Sequence, residues 1–357
     1  MGCGHSYPYR RGALYVRLWG MARPRVTGHD VAHAVGVSQA AVSLVFSDKW
    51  HGRLSEQTVE EIRRAAGKLG YRPNLSARGL RTGATGTVLL IIPVLANPYF
   101  AYVHAAIVQE AAKHLMSVVV YPLDAADEET PFPTTRQIVD GVLGCAVDLA
   151  RIHGIIDGLP LVMIDAEPAP RVRTVNADIA AGMVDAVGHL AELGHRRVAH
   201  FAASRLTWTF RQRAAAFEQA GAERGLAVDR IRMQLTMEEG YLHAAEVLSA
   251  PNRPTAIVCD NDQLAVGVFW AARKVGLDVP GDVSVVGFDD APVGRVMSPQ
   301  LTSVRIPADE LGAVAMSTLE RQLHGRRTHS TVLPTTLVVR GTTGPPAGPI
   351  RRDNGKL

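Results

Sequence analysis

From residue 84 onward, short apolar runs alternate with segments in which apolar residues recur at helical spacing. Such alternation is typical of βα units built around parallel sheets. The runs fall into two consecutive series, so we predict an α/β body of two doubly wound parallel-sheet lobes, with a crevice outside the carboxyl ends of the strands. The predicted strands are 87–94, 118–121, 139–145, 161–164, 198–201, 256–259 and 283–286, and the predicted helices are 99–114, 183–193, 210–222 and 264–275.

Composition and motif content exclude several classes of protein. The 357 residues are 47% hydrophobic and 20% charged, which is typical of a folded globular chain. No apolar run approaches the roughly 20 residues that a membrane helix needs. Cys3, Cys145 and Cys259 are scattered, so we expect a reducing cytoplasm and no disulfide framework. Because G-x-S-x-G, P-loop and G-x-G-x-x-G motifs are absent, we predict no enzyme, no cofactor and no metal site.

Charge is unevenly distributed along the chain. Residues 21–83 contain ten Lys/Arg and five Asp/Glu, a net charge of +5, and residues 1–20 add +3. Since the whole chain carries +4, the remainder carries −4. A basic head on an acidic body is the expected layout for a polyanion-binding module joined to a domain with another role. Chance clustering of surface charge is the alternative.

The first twenty residues are set apart from the pattern that follows. We expect them to be a non-native or disordered extension, with translation starting at Met21, because Met21 leads directly into the first predicted helix. Met1 to Ser6 also fits the N-myristoylation pattern, with Cys3 placed for palmitoylation, and this is the alternative interpretation.

Residues 21–73 have the pattern of a small all-α head. Thr27 can cap a first helix, and Ser38 can cap a second helix at 39–46. Two short helices joined by a Gly-containing turn, with a third helix behind them, are the signature of a helix-turn-helix domain. In the second helix we expect Val42 and Val45 to pack in the core. The outward face of that helix is predicted to carry Gln39, Ala40, Ser43 and Leu44.

The head resembles the lactose/galactose repressor family of bacterial transcriptional regulators. The resemblance rests on Asp30-Val31-Ala32, on the run from Gly36 to Ser43, on the run from Leu69 to Asn74, and on Ala77-Arg78 and Leu80. It implies that the second helix enters the major groove of DNA and that residues 74–83 form a hinge, whose leucine wedges between base pairs in the minor groove. The implied DNA-contacting residues are Thr27, Ser38, Gln39, Ala40, Ser43, Leu44, Tyr71, Asn74, Ala77 and Leu80.

Among these, Gln39, Ala40 and Leu44 match the base-facing positions of the family. The arginine usual at the third position is absent here, so the strong contact that it makes to guanine is lost. Gln39 can still pair with adenine, and Ala40 or Leu44 can touch a thymine methyl group.

The resemblance continues through residues 22–344. It is carried by Asn97 to Phe100, Leu193 to Val198, Asp260 to Ala265, Val279 to Asp290, Leu301 to Val304 and Leu337 to Gly341. It implies a periplasmic-binding-protein-like body in which a late helix, at about 309–323, completes the first lobe, so that the chain crosses between lobes three times. The first lobe is then 84–175 with 303–325, and the second lobe is 176–302 with 326–344.

By the same resemblance an effector lies between the lobes, in contact with Tyr99 or Phe100, Arg213, Asn261 and Asp289. An arginine, an asparagine and an aspartate that converge on a cleft with aromatic walls suit a polyhydroxylated ligand such as a sugar. Helix capping is the alternative for Asn261 and Asp289, and a surface salt bridge is the alternative for Arg213.

The implied function is a cytoplasmic repressor that binds an approximately palindromic operator as a homodimer. A small-molecule effector switches it by changing how the lobes close and how the two hinges are spaced. We expect a loop at 122–138, and a disordered tail at 345–357 that favours a dimer over a tetramer. A ligand carrier of the periplasmic sugar-binding type shares the two-lobed body, but the helix-turn-helix pattern and the missing signal peptide disfavour it.

Overall fold

The computed structural model describes residues 26–46, 49–71, 84–123, 138–156 and 158–347. The chain divides into two compact units, Met1–Gly83 and Ala84–Leu357. Several predictions lie outside the described residues. They are the extension 1–20, the hinge 74–83 with Asn74, Ala77 and Leu80, most of the loop 122–138 and most of the tail 345–357.

The described part of the first unit holds the helices α1 (Gly28–Val35), α2 (Gln39–Phe46) and α3 (Glu56–Leu69). Thr27 caps α1, since its hydroxyl accepts a hydrogen bond from the Asp30 amide while the Asp30 carboxylate accepts one from the Thr27 amide at 2.7 Å. Ser38 Oγ accepts the Ala41 amide at 3.2 Å at the start of α2. Val42 and Val45 are buried in the shared core of the three helices. The predicted caps and core positions are confirmed.

The second unit begins with a lobe of alternating strands and helices. Its inner strands are almost entirely buried, as is usual in parallel sheets, whereas the edge strand 117–122 is partly exposed. The elements of this lobe are β1 (Thr87–Ile92), α4 (Pro98–Lys113), β2 (Ser117–Pro122), β3 (Gly141–Cys145), α5 (Leu149–Ile156), β4 (Leu161–Ile164) and β5 (Arg173–Ala177).

The next lobe repeats the pattern. Its elements are α6 (Ile179–Glu192), β6 (Arg197–Ala203), α7 (Trp208–Glu223), β7 (Ala227–Met233), α8 (Met237–Ser249), β8 (Ala256–Cys259), α9 (Asp262–Lys274), β9 (Ser284–Asp289), α10 (Pro292–Val296) and β10 (Thr302–Arg305). The chain then ends its described part with α11 (Ala308–Leu323), β11 (Thr331–Leu333) and β12 (Thr336–Val338).

Two six-stranded sheets result. The first has the order β11-β5-β4-β3-β1-β2 and the second the order β12-β10-β9-β8-β6-β7. All neighbouring strands are parallel except β12, which runs antiparallel to β10. The strand order of each sheet reverses beside its first strand, β1 or β6, and such a switch point opens a crevice at the carboxyl ends of the strands. The predicted two-lobed architecture is confirmed.

The late helix α11 packs on α4 and on the first sheet, as predicted, and the chain crosses between the lobes three times. The crossings follow β5, β10 and β11. The predicted segments 303–325 and 326–344 need correction, however. Residues 302–305 pair with β9 and so belong to the second lobe, whereas 331–333 pair with β5 and so belong to the first.

A search of the described helices finds none that is long and apolar enough to cross a membrane.

Candidate functional site

The predicted DNA-contacting face lies on α2. Gln39, Ala40 and Ser43 are exposed, and Leu44 is half-buried. They occupy the first two turns of the helix, on the side opposite the buried Val42 and Val45. This face of α2 therefore carries the side-chain amide of Gln39 and is otherwise partly apolar.

Two other predicted contact residues have a structural role in the head. Thr27 is exposed, but its side chain is engaged in the cap of α1. The Tyr71 ring packs edge-on against Phe46, with ring centroids 5.4 Å apart, and its hydroxyl lies close to Gly28. Trp50, for which the sequence indicated no role, packs partly against the same core and stacks on His51 at 3.8 Å.

In the second unit, a cavity of about 720 Å³ lies between the two lobes at the carboxyl ends of β1, β4, β6, β7, β8 and β9. All five residues predicted from the sequence to meet an effector contribute to its wall: Tyr99, Phe100, Arg213, Asn261 and Asp289. Tyr99 and Phe100 pack edge-to-face at 5.2 Å on the first-lobe side. The volume suits a small molecule.

Arg213 is the buried cation of this cavity, whereas Arg205, the other arginine of the wall, is exposed. Its side chain comes from α7, and the residue is only 3% exposed, which excludes the alternative of a surface salt bridge. The guanidinium lies 3.8 Å from the centroid of the Phe288 ring, and Nη1 donates to the carbonyl of Asp260. Its Nε makes no hydrogen bond within the protein. The guanidinium also lies 5.2 Å from the centroid of the Phe210 ring, so these contacts hold it in place while its Nε donor stays unused.

Helix capping was the alternative role for Asn261 and Asp289, and it applies to only one of them. Asn261 does cap α9, because its Oδ1 accepts the Leu264 amide at 2.9 Å. Asp289 caps no helix, since α10 begins after Ala291. Burial raises the pKa of Asp289 well above its usual range, and Arg213 opposes that shift. Asp289 also has a φ of 104°, a strained conformation of the kind that recurs at binding sites.

Among the polar residues of the cavity wall that sequence reasoning missed, three have a buried side-chain atom without a hydrogen-bond partner. Asp165 follows β4, and Thr207 and Thr209 lie at the start of α7. Burial raises the pKa of Asp165, and Arg213 opposes this shift as well. A usable signal existed for Asp165, because it directly follows the predicted buried strand 161–164. Nothing in the local sequence distinguishes the two threonines.

The unused hydrogen-bonding groups converge on this cavity. Among the described residues, six buried side-chain polar atoms have no hydrogen-bond partner, and all but His200 Nδ1 belong to residues of the cavity wall. These five atoms are Tyr99 Oη, Asp165 Oδ1, Thr207 Oγ1, Thr209 Oγ1 and Arg213 Nε. Because buried polar groups are nearly always paired, their concentration at one cavity shows that several polar partners, from water or from a ligand, can be bound there.

Comparison with known proteins gives the family. The model of bacterial regulatory proteins of the lacI family matches residues 27–74, and a periplasmic binding protein-like domain matches residues 187–343. The transcriptional regulator DegA of Bacillus subtilis is 32% identical over 337 residues, which cover 90% of this chain and 99% of DegA. The chain belongs to the LacI family.

Solved structures of LacI-family proteins resemble the whole chain. The Lac repressor dimer bound to operator and the anti-inducer ONPF superposes with a TM-score of 0.78 at 25% identity, over 90% of this chain and 100% of the repressor chain. The complex of the regulator CelR with cellobiose gives a TM-score of 0.65 at 26% identity, over 89% of this chain and 100% of CelR. Both likenesses span the head and the body of this LacI-family chain.

Behind the cavity, ionic contacts hold the strained segment that carries Asp289. Asp290, with a φ of 54°, receives hydrogen bonds from Arg295, Arg305 and Arg340 at 3.1, 2.8 and 2.6 Å. Burial would raise the pKa of Asp290, but the bonds from Arg305 and Arg340 outweigh burial and hold that pKa below its usual value. The three arginine hydrogen bonds to Asp290 thereby fix the backbone next to Asp289.

Asp262 also stabilises the segment that carries Asp289 and Asp290. Its carboxylate accepts hydrogen bonds from the Ala291 amide and, at 2.6 Å, from the Ser303 hydroxyl. Burial raises the pKa of Asp262 to about 7. Between about pH 4 and pH 7 the folded protein therefore holds a proton that the unfolded chain has lost, and the resulting stability disappears as the pH rises through 7.

We predict that Asp262→Asn becomes more stable relative to the parent protein as the pH rises from 5 to 7. Asparagine stays uncharged, and it can accept the Ala291 amide through Oδ1 while its Nδ2 donates to the Ser303 hydroxyl. The difference in unfolding free energy should change by at most about 1.4 kcal/mol per pH unit, measured by denaturant unfolding of the ligand-free chain. Burial also lowers the pKa values of His189 and His195. These histidines contribute equally to the pH dependence of the unfolding free energy in both proteins, so their contribution cancels in the difference.

Asp185→Asn is the control for this experiment, since Asp185 is an exposed aspartate of α6. Its difference from the parent protein should not vary with pH. A difference for Asp262→Asn that is constant over the whole range would show that the carboxyl does not carry the proton assigned to it.

Proposed function

We propose that this chain is a transcriptional repressor that binds a specific operator as a homodimer in the cytoplasm and is controlled by a sugar in the cavity between its lobes. The observation that carries the effector half of the proposal is the convergence of five unpartnered polar atoms on that cavity. The observation that supports the DNA half is the exposed face of α2 in a head that matches the lacI model.

A neutral polyol suits the chemistry of the cavity. Each sugar hydroxyl both donates and accepts, so it can pair with the Arg213 donor as well as with the oxygens of Asp165 and the threonines. The site has one buried arginine, Arg213, which faces Asp165 and Asp289, and one exposed arginine, Arg205. Burial already disfavours the charged form of both carboxyls. An added anionic ligand would increase that cost. CelR, which this chain resembles, was solved with cellobiose.

For DNA recognition we assign residues 21–73 to the reading head, 74–83 to the hinge and 84–344 to the body. Gln39, Ala40 and Leu44 are proposed to read base edges, with hydrogen bonds to adenine and apolar contacts to thymine. The residues proposed to position the head on the backbone or to act in the hinge are Thr27, Ser38, Ser43, Tyr71, Asn74, Ala77 and Leu80.

The switch requires a ligand that prefers one of two arrangements of the lobes. Because the cavity wall is drawn from both lobes, a bound sugar favours one degree of closure over another. Closure alters the spacing of the two hinges across the dimer and thus the affinity for the operator. A carrier role without DNA function, the alternative, leaves the lacI-type head unexplained, and we propose no enzymatic activity.

Arg213→Met is expected to weaken sugar binding about 10- to 100-fold, since a hydrogen bond to a charged group contributes about 1.5–3 kcal/mol. The measurement is calorimetric titration of the full-length protein with glucose, galactose, mannose and xylose, and with disaccharides and 4-nitrophenyl glycosides of each. The matched control is Arg224→Met, at the end of the same helix and outside the cavity. Unchanged affinity in Arg213→Met, or no binding by any compound, refutes the effector half of the proposal.

Selection of random duplex DNA by the full-length protein should enrich an approximate palindrome, because a two-fold symmetric dimer meets two half-sites. Gln39→Ala removes the amide that can pair with adenine, so the preference at one position of each half-site should relax by about 1–3 kcal/mol. Gln57→Ala, an exposed glutamine of α3, is the control and should leave the motif unchanged. A motif of equal strength with Gln39→Ala contradicts the assignment of Gln39.

A further inference from the structure

Behind the wall of the cavity between the lobes, a histidine and an aspartate form a buried pair. His200 lies in β6 and is 0% exposed, and Asp260 follows β8 and is 1% exposed. Nε2 of the histidine is 2.9 Å from Oδ1 of the aspartate. Asp260 contributes to the cavity wall, whereas His200 does not. The aspartate therefore connects the histidine with the cavity.

Three hydrogen bonds fix Asp260 against β6. Besides the bond with His200, its Oδ2 accepts the Ala203 amide at 2.7 Å, and its own amide donates to the Phe201 carbonyl at 3.0 Å. A rotation of Asp260 would break at least one of these bonds. The backbone carbonyl of Asp260 is thereby held in one direction.

The orientation of Arg213 depends on that carbonyl, which accepts a hydrogen bond from its Nη1. A guanidinium is planar and rigid, so fixing the Nη1 end also fixes where Nε points. Nε is the donor left unused at the cavity. A continuous series of contacts thus leads from His200 through Asp260 to a group that is free to meet a ligand.

His200 also touches the helix that carries Arg213. Its ring packs on the buried ring of Phe217, with centroids 4.7 Å apart and planes inclined by 34°. Phe217 follows Arg213 by four residues in α7, so the two side chains lie on the same face of that helix. His200 therefore supports both the helix of the arginine and the carbonyl to which the arginine is bonded.

The proton of the buried pair belongs on Nε2 of His200. Burial would raise the pKa of Asp260, but His200, Arg213 and the Ala203 amide outweigh burial and hold that pKa below its usual value. Asp260 is therefore a carboxylate that can only accept, so Nε2 must donate. Nδ1 has no hydrogen-bond partner within the described part of the chain. A ring with its only proton on Nδ1 would leave that donor unpaired and turn a lone pair towards the carboxylate, which disfavours this tautomer.

We propose that His200 is a positioning residue for the effector: acting through Asp260, it sets the orientation in which Arg213 presents Nε to the cavity. This inference rests on the proposed function, because it takes the effector to bind in the cavity at Arg213.

Calorimetric titration of the full-length protein with the sugar panel above tests this role. His200→Phe keeps an aromatic ring against Phe217 and removes the donor, so the affinity of a sugar that binds the parent should fall about fivefold or more. His200→Gln, whose side-chain amide can donate in place of Nε2–H, should restore the affinity to within about twofold. His153→Phe, at an exposed position of α5 outside the cavity, is the control and should bind as the parent does. Unchanged affinity in His200→Phe, or no recovery in His200→Gln, overturns the inference.

A second readout needs no ligand and so separates this inference from the proposed function. In ¹⁵N NMR spectra of the ligand-free protein, the Nε–H signal of Arg213 is identified by its loss in Arg213→Met. That signal should move in His200→Phe and return towards its parent position in His200→Gln. Nε2 of His200 should be protonated in the parent protein, an outcome that does not depend on whether a variant folds.

An Arg213 signal that His200→Phe leaves in place, or a His200 ring with its proton on Nδ1 alone, overturns the inference. If the signals behave as expected but no compound of the panel binds the parent protein, the proposed function fails and the positioning of Arg213 by His200 stands.

Discussion

A single buried cation, the Arg213 guanidinium, organises the space between the lobes. It is held by the Phe288 ring and the Asp260 carbonyl of its own lobe. It also lowers the cost of burying Asp165 from the first lobe and Asp289 from the second. Without it, two carboxyl groups would face the cavity with no buried counter-charge. The two carboxyl groups of the cavity wall therefore depend on this one side chain for their buried counter-charge.

The same site is connected to the segments that join the lobes. Next to Asp289, Asp290 is bonded to Arg305, where the second crossing begins, and to Arg340, just beyond the third. The first and third crossings are in turn bonded to each other, since the Asp178 amide donates to the Leu333 carbonyl at 2.8 Å. A ligand that alters the backbone around Asp289 therefore acts on a bonded set of contacts at all three crossings. Such a set can pass from one arrangement to another as a unit.

Sequence patterns predicted the strands whose side chains are all apolar and buried. They failed for strands that contain polar residues and are held in place by pairing with neighbouring strands. The strand 161–164 was predicted to the residue, because four consecutive apolar side chains are buried there. β5 and β10 were missed, since Arg173, Asn176 and Arg305 interrupt any apolar run, although the strands lie inside their sheets. The observed lobe boundaries differ from the predicted ones for the same reason. They depend on which distant strand each short segment pairs with, and no local pattern contains that information.

The candidate site shows a similar division. Arg213, Asn261 and Asp289 could be found from their motifs, and all three lie in the cavity wall. Thr207 and Thr209 could not, because they join the wall only through the approach of α7 to the other lobe.

Reciprocal linkage between operator and sugar tests the central claim most directly. The operator affinity of the full-length protein is measured with and without saturating sugar, and the sugar affinity is measured with and without operator. The account predicts that each ligand changes the affinity for the other by the same factor, of about fivefold or more. A sugar that saturates the cavity and leaves the operator affinity unchanged would show that the cavity does not control DNA binding.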